Sequence, residues 1–291
     1  MKKEKTNFIS NLAEVIRLKT GRIARNFKKQ SQLKRLENNP FGNSPKAPRS
    51  LYVEVSEKAK QDVYNSINEW ESQYKYKINK DWLDQLALQT QIVIKDSAIN
   101  YQHGRVLYST LRSYISEYSK KHNDNMKILE IGTARGFSAV CMARAIIDSS
   151  SNGTIISIDP IPHNKEIYWN CISDCKGKTT RAELLSSYMH ELDNIVFVQG
   201  ASPECLNNLG VNRIHYAFVD GEHNFPNIQY EFDYIKSRQK KGDMILFDDI
   251  QACEYSDVEN LLRKIESEKS YQIERIWSSH ARGYGIARKL T

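Results

Sequence analysis

From Met126 onward, apolar runs of strand length alternate with stretches whose apolar residues recur at helical spacing. Ile128-Leu129-Glu130-Ile131 reads as a strand, Ser138 to Ile147 as a helix, and Thr154 to Ile158 as a strand closed by Asp159. Thr180 to His190 reads as one helix, Ile195 to Gln199 as a strand, and Pro203 to Leu209 as a short helix. His215 to Val219 is a strand closed by Asp220, and Pro226 to Lys236 a helix. Met244 to Phe247 is a strand closed by Asp248-Asp249, and Asp257 to Ser267 a helix. Tyr271 to Trp277 and Tyr284 to Arg288 end the chain as strands. Such alternation predicts an α/β fold of βαβ units, with a mostly parallel sheet covered on both faces.

The pattern upstream differs. Ser56 to about Lys121 is helical and rich in aromatics (Trp70, Tyr74, Trp82, Tyr101, Tyr108, Tyr114), enough for two to four helices. Proline and glycine concentrate from Asn38 to Pro48, which marks a linker. Between Lys2 and Glu37, Phe8, Leu12, Ile16, Ile23 and Phe27 fall near helical spacing with Lys and Arg between them. Three regions follow: 1–50, a basic amphipathic arm and linker; 51–121, a helical region that covers the substrate; and 122–291, the α/β domain.

Composition narrows the class. Apolar residues are 40% of 291, so a sizeable core can form. No run of 18 apolar residues spans a membrane, and no apolar stretch follows the basic N-terminus as in a secretory signal. Five cysteines without a CxxC pair suit reduced thiols in a cytoplasmic protein. The formal charge of +7 sits in one place: residues 1–37 carry 11 Lys/Arg and 3 Asp/Glu, leaving 31 basic and 32 acidic residues elsewhere. That arm suits an anionic membrane surface, RNA phosphates, or a helix that is solvated or packed on a partner. A chain peripheral to the membrane is therefore one expectation, and nucleic acid a weaker one.

In open parallel sheets, ligands bind beyond the C-terminal strand ends. Gly132, Asp159, Gly200, Asp220 and Asp248 close the strands here, so one crevice edge is expected to gather them. The first turn is Glu130-Ile131-Gly132-Thr133-Ala134-Arg135-Gly136. Gly132 allows a tight turn and close approach of a ligand, and Gly136 opens a helix whose amides favour a negative group. Ala134 breaks the dinucleotide GxGxxG pattern. Gly200-Ala201-Ser202 follows the third strand, with Ser202 expected as N-cap before Pro203. Asp220, Asp248 and Asp249 offer three carboxylates from neighbouring strand ends, a set suited to Mg²⁺. His223, three residues after Asp220, is placed to take a proton from a hydroxyl. Gly177-Lys178-Thr179 lacks the first glycine and the preceding strand of a P-loop.

The turn Glu130–Gly136 resembles motif I of the class I methyltransferases that use S-adenosylmethionine (SAM). The resemblance implies a Rossmann-like seven-stranded sheet with an α-helical N-terminal extension. It also implies that Glu130, Gly132, Thr133, Gly136, Asp159, Ala201, Ser202 and Asp220 hold SAM. Val219-Asp220-Gly221-Glu222-His223 with Asp248-Asp249 resembles the metal-dependent O-methyltransferases: the macrocin and mycinamicin sugar type carries this D-x-x-H form, and the wider V-D-G-x-H … D-D group is closer still, with Lys241-Gly242 here where that group often has Gly-Gly. That implies Asp220, Asp248 and Asp249 on Mg²⁺, and His223 and Asp220 in catalysis. The acceptor implied is a hydroxyl of a sugar, glycan or other natural-product-like small molecule. Two alternatives remain open: an RNA 2′-O-methyltransferase using the basic arm, and a non-catalytic SAM-fold subunit that binds a partner. Tyr101, His103 and Arg105 are candidates for the acceptor pocket, and a homo-oligomer is in keeping with such enzymes.

Overall fold

Between Phe41 and the first strand lie four helices: α1 (Arg49–Ala59), α2 (Asn65–Tyr74), α3 (Lys80–Thr90) and α4 (His103–Tyr118). The structure is a computed structural model that describes residues 34–251, 256–278 and 282–291. The chain divides into two compact units, Met1–Pro40 and Phe41–Thr291. In the first, residues 34–38 are helical. The amphipathic helix expected from Lys2 falls, up to residue 33, outside the described residues, and so do the membrane and nucleic-acid contacts expected of it.

The strands and helices of the larger unit then alternate. They are β1 (Met126–Ile131), α5 (Phe137–Asp148), β2 (Gly153–Asp159), α6 (Arg181–Leu184), α7 (Met189–Leu192), β3 (Ile195–Gln199) and α8 (Ser202–Asn208). After them come β4 (Tyr216–Val219), α9 (Phe225–Lys236), β5 (Met244–Ile250), α10 (Asp257–Ser267), β6 (Tyr271–Trp277) and β7 (Gly283–Lys289). They form one seven-stranded sheet in the order β3-β2-β1-β4-β5-β7-β6. β1 to β5 are parallel, and β7 runs antiparallel between β5 and β6. The expected Rossmann-like sheet with helices before it is present.

Apolar side chains leave the sheet on both faces, as a parallel sheet demands. One face packs on α1 to α5 around Tyr52, Leu86, Leu107, Leu111 and Val140. The other packs on α9 and α10 around Phe232, Ile235, Leu261, Leu262 and Ile265. Local signals start several helices: Asn79, Asn224 and Ser256 each accept a backbone N–H as N-caps of α3, α9 and α10. The helix expected from Thr180 to His190 is broken. Thr180 and Glu183 form a capping box, but Leu185 leaves helical geometry at φ −98°, ψ 10°. Its side chain presses on Gly136, where a Cβ would come within 2.7 Å of it. Tertiary contact at the first turn thus overrides the helical pattern.

Candidate active site

The strand order reverses direction between β1 and β4, and their C-terminal tips lie side by side there. The Asp220 amide donates to the Ile131 carbonyl at 2.8 Å, and the Gly132 amide to the Ile158 carbonyl at 2.9 Å. Gly132 has φ +99°, and a Cβ on it would stand 2.0 Å from the Asp220 carbonyl oxygen. Only glycine lets the two tips approach so closely. Gly136, at φ +90°, occupies the N-cap of α5. The Gly200 amide donates to the Asp159 carbonyl at 3.0 Å, which joins the third strand tip to the second. The strand tips expected to converge do so along one rim.

Several side chains expected to hold SAM serve that rim from within. Glu130 is fully buried and accepts hydrogen bonds from the Ser138 and Ser157 hydroxyls. Burial pushes its carboxyl up to about 7, against the two hydroxyl donors. Through these two serines Glu130 ties the end of β1 to α5 and β2. Thr133 is likewise buried, its hydroxyl 2.5 Å from that of Ser157. Asp159 accepts the Ala134 amide at 2.8 Å and the Ile161 amide at 2.6 Å, and lies 3.9 Å from the buried Arg181 guanidinium. Burial raises its pKa; Arg181 and the amides lower it. Its oxygens thus hold the turn in place.

Ser202 is not the N-cap. Ala201 takes that position without a side-chain bond, and the Ser202 hydroxyl donates to Glu231, a buried carboxyl on α9. Burial pushes Glu231 up to about 7.

Asp220, His223 and Asp249 each present one ligand atom, and these three atoms lie within 4.8 Å of one another. His223 stands between the carboxylates: Nε2 is 3.7 Å from Asp220 Oδ1, and Nδ1 is 3.8 Å from Asp249 Oδ2. Both distances exceed hydrogen-bond length, and Nε2 is buried without a hydrogen-bond partner. Burial raises the Asp220 pKa well above the usual carboxylate range, and Asp248 and Asp249 raise it further. Asp249 is raised by burial and by Asp248, while Arg282 and His223 lower it.

Asp248 is placed differently from Asp249. It is fully buried, and accepts Arg282 Nη2 at 2.9 Å and the Asp249 amide at 2.7 Å. Arg282 Nε also lies 2.5 Å from Asp249 Oδ1. The pairing of β5 with β7 shifts between Phe247 and Ile250, and Asp249 has φ +56°. This bulge turns two consecutive carboxylates in different directions, Asp248 to the arginine and Asp249 toward His223. A run of two aspartates carries no trace of such a bulge.

Of the acceptor-pocket candidates, Tyr101 donates to Asp84 at 2.9 Å, and Arg105 is paired bidentately with Glu71. Both are tied into the helical region. His103 differs. It is buried against Phe137 and Phe218, and its Nδ1 has no hydrogen-bond partner. Burial and the charges of Arg282 and Lys95 lower its pKa to about 3, so it is neutral. Arg181 and Arg282 were missed from sequence. An isolated basic residue outside any motif gives no signal of the carboxylate it will meet.

Comparison with known proteins agrees with this geometry. A family model described as a methyltransferase domain matches residues 129–250. No curated protein matches the chain by sequence. Among solved structures, the O-methyltransferase TomG from Streptomyces achromogenes, involved in tomaymycin synthesis and solved with SAM, superposes with TM-score 0.50 at 18% identity. The match covers 74% of this chain and 92% of that one. A candidate O-methyltransferase from Klebsiella pneumoniae gives TM-score 0.50 at 15% identity, over 72% of this chain and 90% of its own. The fold is thus shared with these two structures, and the segment from 129 to 250, which carries every strand tip of the crevice, is the part that matches a methyltransferase domain.

Proposed function

We propose that the protein transfers the methyl group of SAM to a hydroxyl oxygen of a small molecule. The observation that carries this reading is the trio at the β4 and β5 tips. An imidazole with a buried, unpartnered Nε2 lies between two carboxylates, beside the glycine turn that closes β1. The methyltransferase domain match and two O-methyltransferases of the same fold, one solved with SAM, support it.

The crevice fits SAM in one respect that the structure displays. Gly132 and Gly136 take left-handed conformations, so neither adds a side chain at the two ends of the turn. In this reading Gly132, Gly136, Ala201 and Ser202 line the donor site, Glu130 and Thr133 hold the turn's shape, and Asp159 with Arg181 braces it from below. SAM supplies the methyl group and departs as S-adenosylhomocysteine. His223 Nε2 takes the hydroxyl proton as the oxygen attacks the methyl carbon, and Asp220 and Asp249 stabilise the imidazolium that results. Asp220 also closes the donor side of the crevice. Placing oxygen and methyl carbon in line is a task for the rim as a whole.

The same trio fits a divalent cation in donor type and spacing. Two carboxylates and an imidazole suit Mn²⁺ or Zn²⁺ at least as well as Mg²⁺, which prefers oxygen alone. Such a cation would polarise the acceptor hydroxyl. Asp220, Asp249 and His223 would hold it, with Asp248 retained by Arg282; a cation there would replace the role of His223 as base, because the ligating nitrogen has no lone pair left for the proton.

The test is His223→Gln, assayed for SAM turnover against a panel of hydroxylated acceptors while SAM binding is followed by calorimetry. Turnover is expected to fall roughly 10²–10⁴-fold, the range for losing a proton-transfer group, with SAM affinity unchanged. Full turnover in this variant would overturn the assignment of the base.

A further inference from the structure

Helix α9 carries an acid where its pattern calls for an apolar residue. Glu231 falls on the buried side of the helix with Ile228, Phe232 and Ile235, and is 1% exposed. Burying a carboxyl is costly unless its oxygens find donors. One of them does: Oε1 accepts the Ser202 hydroxyl from the start of α8. Oε2 is buried and has no hydrogen-bond partner among the described residues. The carboxyl lies against the rim of the crevice. A Cβ at Gly221, the residue after Asp220, would stand 3.6 Å from Oε1, 4.0 Å from Oε2 and 3.0 Å from Ile131 Cγ2. Glycine at 221 therefore puts no side chain between the carboxyl and the β1 and β4 tips. Ser202 and Gly221 both belong to turns that close strands of the crevice, so Glu231 meets it at two points.

The two ends of SAM differ in charge. Its one anionic group is the methionine carboxylate, which is favoured at a helix N-terminus free of acidic side chains. The N-terminus of α5 is of this kind: Gly136 caps it without a side-chain bond, and its first turn holds no acid. α5 packs on one face of the sheet, with Val140 in the cluster of α1 to α5. α8 and α9 pack on the other, through Leu206, Phe232 and Ile235. A donor laid across the rim with its carboxylate on the α5 face carries its purine to the face where Ser202, Gly221 and Glu231 meet. Adenine has one exocyclic donor, its 6-amino group, and Glu231 Oε2 is an acceptor that lacks a donor.

We propose that Glu231 Oε2 accepts a hydrogen bond from the 6-amino group of the donor's adenine, and so selects adenine over a purine with oxygen at that position. This rests on the SAM-dependent reading and deepens it by naming the residue that reads the donor's base. A 6-oxo purine would set a carbonyl oxygen against the carboxylate, two acceptors with no proton between them, and polar sites reject such mismatches strongly.

Binding alone tests this, without turnover. The probes are S-adenosylhomocysteine, its 6-oxo counterpart S-inosylhomocysteine, and 5′-methylthioadenosine, which lacks the amino-acid end. They are titrated by calorimetry into the full chain at about pH 8.5, above the value of about 7 to which burial pushes Glu231, so that the carboxyl is ionised. S-Adenosylhomocysteine is expected to bind at least about tenfold more tightly than the inosyl compound, equivalent to about 1.4 kcal/mol. Glu231→Met fills the same buried position with an apolar chain of similar length. In that variant the preference should shrink to within about twofold, with both adenine compounds weakened by the same factor and the inosyl compound unchanged. Gly221→Ala, which sets a methyl group over an intact Glu231, should also narrow the preference. Equal affinity for the adenosyl and inosyl compounds, a preference that survives either substitution, or an equal loss for all three probes in Glu231→Met would overturn the proposal. So would a loss confined to S-adenosylhomocysteine, which would put the amino-acid ammonium on Glu231 instead. Failure of S-adenosylhomocysteine to bind the unmodified chain would overturn the donor reading along with it.

Discussion

Single residues in this crevice owe their protonation to burial more than to partners. Glu130 shows the consequence. Its carboxyl is pushed up to about 7 from an ordinary 4.5, so the folded chain keeps a proton that the unfolded chain releases across that interval. The stability it contributes is full below the unfolded value and is lost as pH rises through about 7. Glu231, also pushed up to about 7, acts with the same sign. The melting temperature is therefore expected to fall by several degrees between about pH 5.5 and about pH 8.5, and Glu130→Gln should flatten part of that slope. Calorimetric scans at both ends of the range check this. A melting temperature that rose over the range would contradict the assignment of a buried neutral carboxyl. His103 presents the opposite case, a buried imidazole held neutral at about 3, whose charge plays no part near neutral pH.

Among elements, the first strand and its turn are the most constrained. Gly132→Ala would set a methyl group 2.0 Å from the Asp220 carbonyl in a left-handed conformation. Separating the β1 and β4 tips to relieve it is expected to cost about 1–3 kcal/mol, read by urea unfolding, and to weaken SAM binding in step. The brace below the turn is a second such element. Arg181 Nε donates to the Ala134 carbonyl at 3.0 Å and Nη2 to the Ile161 carbonyl at 3.1 Å, while the guanidinium faces Asp159. Arg181→Leu leaves Asp159 buried without its counter-charge and is expected to cost about 3–5 kcal/mol. Adding Asp159→Asn should return part of that loss in a double-mutant cycle. Additive losses would show that the pair is not coupled.

For the larger unit as a whole, the helices before the first strand share the core of the sheet. Tyr52, Trp70, Leu86, Leu107 and Leu111 of α1 to α4 lie in the same buried cluster as Ile128, Phe218 and Leu246 of β1, β4 and β5. The Thr110 hydroxyl meets the Tyr216 hydroxyl at 2.7 Å, and Tyr114 donates to Asp243 at 2.9 Å. A chain starting at residue 122 would keep α5 but expose the part of the sheet face and of α5 that α1 to α4 cover. It is expected to lose cooperative thermal unfolding and to bind a hydrophobic dye strongly, as loosely packed states do. Cooperative unfolding in that shortened chain would show that the sheet needs no cover from α1 to α4. Among the described residues no helix is long and apolar enough to cross a membrane.

Period and punctuation in the sequence were enough to determine the strands, their alternation with helices and the polar residues at their ends, because these depend on local backbone preference and on which face must be buried. They placed Gly132, Asp159, Gly200 and Asp220 on one rim before any contact was known. Only the tertiary structure decided the work of each side chain there. The bulge at Asp249 separated it from Asp248, Arg282 claimed the latter from a distant strand, Ser202 turned to Glu231, and Asp159 was drawn inward by Arg181. Each outcome rests on a partner remote in the chain, brought near by packing, and a one-dimensional pattern carries no record of how close two such groups will come.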